Sequence, residues 1–201
     1  MKNSVKSVII VGVGGQGTLL ASRVLGSAMM SQGVDVKVSE VHGMSQRGGS
    51  VVTYVRYGVT PEDKVYSPVI EPGEADVVLA FEALEAARFL PYLKEGGAVV
   101  VNTQQMDPMP VVTGTAKYPE DILGKIEKKG IHMICLDALK LAEEAGSVKA
   151  VNVVLIGAMA RRLQLPRNVW EETVRNTVPP KFVDLNLKAF ALGYEASPEE
   201  E

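Results

Sequence analysis

The 201-residue sequence predicts an α/β fold, a single domain built on a doubly wound, largely parallel sheet with a β-hairpin-like insertion. Three observations carry that prediction. Short, β-branched apolar runs alternate with segments of helical period along most of the chain. The first run ends in "VGVGGQGTLL", a glycine-rich turn that leads into a helix-like pattern. From Ser39 to Ser67 the alternation breaks, which reads as the hairpin-like insertion.

Val5 to Val11 is β-branched and apolar and ends in glycine, so it reads as a buried strand. Thr18 to Gln32 reads as a helix, with Leu19, Leu20, Val24 and Leu25 on one face and Gly33 as its stop. Val34, Val36 and Val38 alternate with Asp35, Lys37 and Ser39, which is strand period, and "SVVTYVRY" is a further strand. "DVVLAFE" is a short buried strand, Ala83 to Tyr92 a helix, and "GGAVVVN" a strand again. Pro108, Pro110 and Pro119 punctuate Thr103 to Pro119, which reads as a loop with an edge strand at "MPVVTGT". "DILGKIEKKG" is a short amphipathic helix with a solvated "KIEKK" face, and "IHMICLD" is a strand. Helices follow at Ala138 to Ala145, Val151 to Leu163, "PRNVWEETVRNTV" and Lys181 to Leu192, before the acidic "YEASPEEE". Gly157 and Ala158 permit a close helix neighbour, Trp170 reads as helix packing, and Met29, Met30 and Met159 fall at core positions.

Composition narrows the function classes. With 46% hydrophobic and 22% charged residues the chain is that of a globular protein, and a net charge of -3 offers no basic excess for nucleic acid. The apolar runs are too short for a membrane span, and the amino terminus enters a strand without a signal-peptide pattern, so a cytoplasmic protein is expected. The single cysteine, Cys135, reads as a small buried residue on a strand; one thiol builds neither a disulfide framework nor a cluster site. His42 and His132 lack metal-ligand spacing, so no metal site and no catalytic residue is assigned to this chain.

Gly12, Gly14 and Gly17 satisfy G-x-G-x-x-G between a strand and a helix, the context that makes the pattern a Rossmann-like nucleotide loop. Glycines allow close backbone approach, and the free N–H groups at the helix start favour an anion. Glu40, near the end of the second strand, is a candidate ribose ligand, although it lies further from the glycines than is usual. Gly15 and Gln16 place an amide with donors and an acceptor where phosphates would lie, which ordinary dehydrogenases rarely need. The loop therefore reads as a phosphate site, a tight packing turn, or a surface for a partner.

A second constellation, "SEVHGMSQRGGSVVTYVR", gathers Glu40, His42, Ser45, Gln46, Arg47 and Ser50 around three glycines. That polar density exceeds what a turn requires. Arg47 suits an anionic ligand or a partner carboxylate. The connection starts at the carboxyl end of its strand, where it can converge with Gln16 and Thr18.

"GVGGQGTLLASRVL" followed by "SEVHGMSQRGGSV" resembles the gamma-type subunits of the 2-oxoacid:ferredoxin oxidoreductases, and "EVHGMSQRGGSV" most resembles the beta subunits of the indolepyruvate enzymes. The resemblance continues through "DVVLAFEALEAAR", Asn102-Thr103, "NVVLIGAMA" and "PPKFVDLNLKAFALG". It implies one gamma-type domain over residues 1–195 with an acidic tail at 196–201. It also implies a large catalytic alpha-type partner that carries thiamine diphosphate and iron–sulfur clusters, coenzyme A as co-substrate, and electrons passed to ferredoxin by the complex. The chain alone then binds no cofactor and is inactive; its part is to cap the partner's active site and help bind coenzyme A. The residues expected to serve are Gly12, Gly14, Gly15, Gln16, Gly17, Thr18, Glu40, His42, Ser45, Gln46 and Arg47. Two other readings stay open: a stand-alone nucleotide-binding oxidoreductase, and a purely structural docking subunit.

Overall fold

The computed structural model describes residues 4–42 and 49–198. Strand β1 (Val5–Val13) turns through the glycine loop into helix α1 (Thr18–Met30), and β2 (Val36–His42) and β3 (Ser50–Gly58) follow with no helix between them. A βαβ unit comes next: β4 (Ala75–Ala80), α2 (Ala83–Phe89) and β5 (Leu93–Asn102). Helices α3 (Met109–Val112) and α4 (Ile122–Glu127) precede β6 (His132–Leu136). Helices α5 (Ala138–Ala145), α6 (Val151–Ala160), α7 (Arg167–Thr177) and α8 (Val183–Ala196) close the chain.

Among the described residues the strands form one six-stranded sheet in the order β2-β3-β1-β4-β5-β6. β1, β4, β5 and β6 pair in parallel, while β3 runs antiparallel to both of its neighbours. The expected hairpin is the antiparallel pair β2–β3, which extends the sheet beyond β1. Val55 of β3 faces Val8 on one side and Val38 on the other, so both edges of β3 are hydrogen-bonded. Two strand-period runs with no crossover helix between them can pair only as an antiparallel hairpin.

β1 is continuously apolar from Val8 to Val11 because both faces of the sheet are covered there. Val8 and Ile10 pack in a core shared with α1, α6 and α8, whereas Ile9 and Val11 pack in a second core with α2 and α4. α6 is buried from Val153 to Ala160, lying between the sheet and α8. Gly157 makes that closeness possible: a Cβ there would sit 2.1 Å from the Phe190 carbonyl oxygen. Gly193 does the same from α8, where a Cβ would sit 1.9 Å from the Val154 carbonyl oxygen. Trp170 is wholly buried on α7, as its helix position predicts.

Four expectations are corrected. "MPVVTGT" begins with helix α3 rather than an edge strand. Pro110 sits in the first turn of that helix, where a missing N–H costs nothing, and β6 already forms that edge of the sheet. Cys135 lies on β6 as expected but is exposed, because β6 is an edge strand that α4 covers only in part. Met30 is 64% exposed, and Leu19 also faces outward, so the buried stripe of α1 runs through Ala21, Val24, Leu25, Ala28 and Met29. Pro91 ends α2 early, and residues Leu90–Tyr92 form a 3-10 turn.

The helix pair yields a test. Gly193→Ala should destabilise the chain by about 1–3 kcal/mol or more, because α8 must move off α6 to admit the methyl group. Gly26→Ala on α1 has only ordinary contacts, at 3.8 and 3.9 Å from Val38 and Val36. It should stabilise the chain by roughly 0.5–1 kcal/mol through helix propensity. Urea unfolding of the two variants reads both signs.

Candidate functional site

The parallel strands β1, β4 and β5 deliver their carboxyl ends to one edge, and the polar groups of interest collect there. The glycine loop is built for close approach. Gly15 and Gly17 have φ of 101° and 86°, a left-handed backbone that side chains resist. A Cβ on Gly12 would lie 2.8 Å from Gln16 Oε1 and 3.0 Å from Phe81 Cβ, so only glycine leaves room for the Gln16 side chain. Gly17 packs against Asn152 of α6, whose Nδ2 would be 2.6 Å from an added Cβ.

Gln16 folds inward rather than out to a ligand. Its Oε1 accepts from Val13 N at 2.7 Å, and its Nε2 lies within 3.3 Å of Phe81 O, Gln104 Oε1 and Met106 Sδ. One carboxamide thereby joins the ends of β1 and β4 and the loop after β5. Asn102, fully buried, continues the network: its Nδ2 donates to Phe81 O at 3.3 Å, and its Oδ1 accepts from Ala138 N at 3.1 Å.

Gly14 N donates to Gly49 O at 2.9 Å, and Gln16 N to Val13 O at 3.2 Å. Among the described residues the N–H groups of Gly15, Gly17, Thr18 and Leu19 donate no hydrogen bond. Gly17 caps α1 without a side-chain acceptor, so four donors and the positive end of a 13-residue helix meet at one spot. The Gly14–Gly49 bond also brings the end of the β2–β3 connection onto this loop.

Beside it lies a cleft of about 240 Å³, lined by Val13, Ser50, Glu82, Glu85, Arg88 and Met106 among others. Glu82 caps α2, accepting from Glu85 N at 2.9 Å, and also takes Met106 N at 3.1 Å and the Tyr118 hydroxyl. Ser50 Oγ donates to Glu85 Oε2 at 2.5 Å, and Arg88 Nε lies 3.4 Å from Oε1. Burial pushes the Glu85 carboxyl up, and the Glu82 carboxylate adds to that; the Ser50 hydroxyl and Arg88 pull the other way. Burial, reinforced by Glu82, raises the Tyr118 phenol.

Of the residues singled out in the sequence, Gly12, Gly14, Gly15, Gln16, Gly17 and Thr18 come together. Glu40 does not join them. β3 separates β2 from β1, which sets Glu40 about 10 Å from β1 at ordinary strand spacing. Its carboxylate takes the Thr53 hydroxyl at 3.0 Å. The ribose position of a dinucleotide fold needs that carboxylate one strand nearer. His42 ends β2, paired with Val51; its side chain, and Ser45, Gln46 and Arg47, lie outside the described residues. Glu82, Glu85 and Asn102 escaped the sequence reading. The E-x-x-E spacing of Glu82 and Glu85 before an alanine-rich helix is the capping signal that would have marked them.

The fold and this edge define an α/β subunit with a Rossmann-like glycine loop. Residues 7–196 match the pyruvate ferredoxin/flavodoxin oxidoreductase family. The chain belongs to that family, as one of its gamma-type subunits. It is 46% identical over 198 residues to the indolepyruvate oxidoreductase subunit IorB of Pyrococcus horikoshii, covering 96% of each chain. The gamma subunit of a keto/oxoacid ferredoxin oxidoreductase from Geobacter sulfurreducens superposes with a TM-score of 0.67 at 25% identity, over 96% of this chain and 98% of its own. The 2-oxoglutarate:ferredoxin oxidoreductase of Magnetococcus marinus, with 2-oxoglutarate, coenzyme A and succinyl-CoA bound, shares the fold. It has a TM-score of 0.72 at 20% identity, over 100% of this chain and 32% of its own.

Two outcomes are expected of the edge. Gln16→Glu keeps the acceptor to Val13 but loses the donor to Phe81 and Gln104, and should cost about 1–3 kcal/mol in urea unfolding at neutral pH. Glu85 holds its proton more tightly folded than unfolded. Stability should therefore fall as pH rises from the ordinary carboxylate range to the raised Glu85 value. Melting curves against pH should show that decline in the native chain and lack it in Glu85→Gln.

Proposed function

We propose that this chain is the accessory subunit of a thiamine-diphosphate- and iron–sulfur-dependent 2-oxoacid ferredoxin oxidoreductase acting on indolepyruvate and related arylpyruvates. It caps the active site of a large catalytic alpha-type subunit and helps bind coenzyme A, which leaves as the acyl thioester. The observation that carries this reading is the set of four uncommitted N–H donors at the start of α1, with the Arg47-bearing connection tied to the same loop through Gly14 and Gly49. Such a helix start suits phosphate oxygens.

Thiamine diphosphate and the clusters supply decarboxylation and electron transfer to ferredoxin. They belong to the partner on this reading, since a Cys-ligated cluster takes several thiolates and this chain has one cysteine. The chain's own residues do simpler work. The N–H groups of Gly15, Gly17, Thr18 and Leu19 hold phosphate oxygens, Arg47 adds charge, and His42, Ser45 and Gln46 orient the ligand. Gln16 is a positioning residue, because its amide is spent on holding the loop. The nucleotide-oxidoreductase reading loses support with Glu40 held by Thr53 behind β3. The indolepyruvate assignment rests on the Pyrococcus relative's name and on "EVHGMSQRGGSV". A cytoplasmic setting fits a chain whose one thiol is left free.

Arg47→Ala in the assembled complex should raise the apparent KM for coenzyme A by about tenfold, the worth of one charge-assisted hydrogen bond, and leave the KM for indolepyruvate unchanged. Unchanged coenzyme A kinetics with intact assembly would reject the role. Failure to assemble at all would favour a docking loop that binds no small molecule.

A further inference from the structure

Helix α3 stands beside the cleft of the carboxyl edge with its apolar side chains in water. It is built of Met109, Pro110, Val111 and Val112, and none of them is buried. Met109 is 60% exposed and Val112 65%. Met106, Pro108, Met109 and Pro110 line the cleft of about 240 Å³ together with Ser50, Glu85 and Arg88. From Ser50 the same face of the sheet goes on through Val52 to its cross-strand partner Val41, which is also exposed. A helix that buries nothing apolar of its own marks a contact with another molecule.

The charge of the cleft narrows what that molecule brings. Glu82, Glu85 and Asp107 line it against one guanidinium, Arg88. Glu82 is buried and accepts from three neutral donors, the Glu85 and Met106 N–H groups and the Tyr118 hydroxyl, so its charge meets no cation. Arg88 approaches Glu85 alone, at 3.4 Å, from a half-exposed position. Asp107 is exposed and makes no hydrogen bond or ion pair among the described residues. The volume lies below the roughly 300–1,000 Å³ of small-molecule sites, which suits a single long side chain.

We infer that the cleft and α3 form the docking surface for the catalytic alpha-type subunit, which lays an apolar segment on Met109 and Val112 and inserts an arginine or lysine between Glu85 and Asp107. The inference rests on the accessory-subunit reading and adds to it the surface and chemistry of the contact. Arginine suits the position best, because its planar fork meets carboxylates bidentately and anchors interfaces. A lone metal ion matches the charge but leaves the apolar helix in water, and the Glu82 oxygens are already taken. A second copy of this chain covers the helix but sets one acidic cleft against another.

The test measures binding of the full chain to the catalytic subunit isolated from the source cells, by sedimentation velocity. Val112→Asp and Met109→Asp should each weaken binding by about tenfold or more, the ordinary loss at a central interface residue. Asp107→Lys should weaken it several-fold, and added salt should shrink that difference. Tyr66→Asp should change nothing; Tyr66 is 88% exposed at the opposite end of the sheet, next to Val65, whose N–H donates to Asp35 just before β2. All four side chains are exposed, so the variants should keep the native urea transition. Full-strength binding of Val112→Asp and Asp107→Lys would overturn the inference and leave the accessory-subunit reading in place. So would equal weakening by Tyr66→Asp, or self-association of the chain that Val112→Asp abolishes while binding of the catalytic subunit persists. A native chain that binds no such subunit would overturn both.

Discussion

The carboxyl edge of the sheet depends on one side-chain amide. Gln16 turns back under its own loop, takes the Val13 N–H, and donates toward Phe81, Gln104 and Met106. Its place exists only because Gly12 has no side chain, since a Cβ would press on both Oε1 and Phe81. Gln16 anchors the glycine loop with its two left-handed residues and ties the loop after β5 to the end of β1. Asn102 extends the same logic to α5, and Glu82 to α2, Met106 and Tyr118. Asn102 and Glu82 are buried polar groups whose value lies in being satisfied, and Gln16 is half-buried beside them; losing a partner would strand the buried ones in a medium of low dielectric.

Once Gln16 is spent on structure, the polar groups the loop still offers are those of its backbone. The donors left over are the N–H groups of Gly15, Gly17, Thr18 and Leu19. Backbone donors at a helix start carry no net charge, so they select for anions without the desolvation cost of a buried lysine. The nearby cleft offers the reverse, with Glu82 and Glu85 on its walls and Arg88 at its rim. On the proposed reading, phosphate oxygens would meet donors at the loop and carboxylates in the cleft, a contrast that would keep an extended ligand along the edge.

How far this was legible in the sequence depended on whether the deciding interaction was local. β1, α1 and the βαβ unit around α2 followed from periodicity, and Gly157 announced the α6–α8 contact because small residues inside an apolar helix have few other uses. The register of β3 was not legible. Nothing within "SVVTYVRY" states that it pairs on both edges, and that one pairing moves Glu40 out of a nucleotide site. The misread "MPVVTGT" has the same cause: its valines have strand propensity, but Pro108 and Pro110 suit a helix start and the edge was already occupied. Gln16 was legible as unusual and misread in direction, since the spacing shows where a side chain starts and not which way it folds. Glu82 and Glu85 were hidden by their ordinary helical setting.

The two ends of the sheet divide the chemistry in a way that follows from strand direction. At the carboxyl ends, parallel strands hand over to helix starts, and N–H groups gather where α1 begins. At the amino ends, the chain arrives from helix ends and turns, so backbone donors are scarce and side chains must supply any positive charge. Lys6 and Lys94 do so from the first turns of β1 and β5, and Arg162 from just past the end of α6, where a cation also meets the negative end of the helix. Asp76 steadies the lysines while leaving the rim net positive. The same sheet therefore gathers backbone donors at one end and charged side chains at the other.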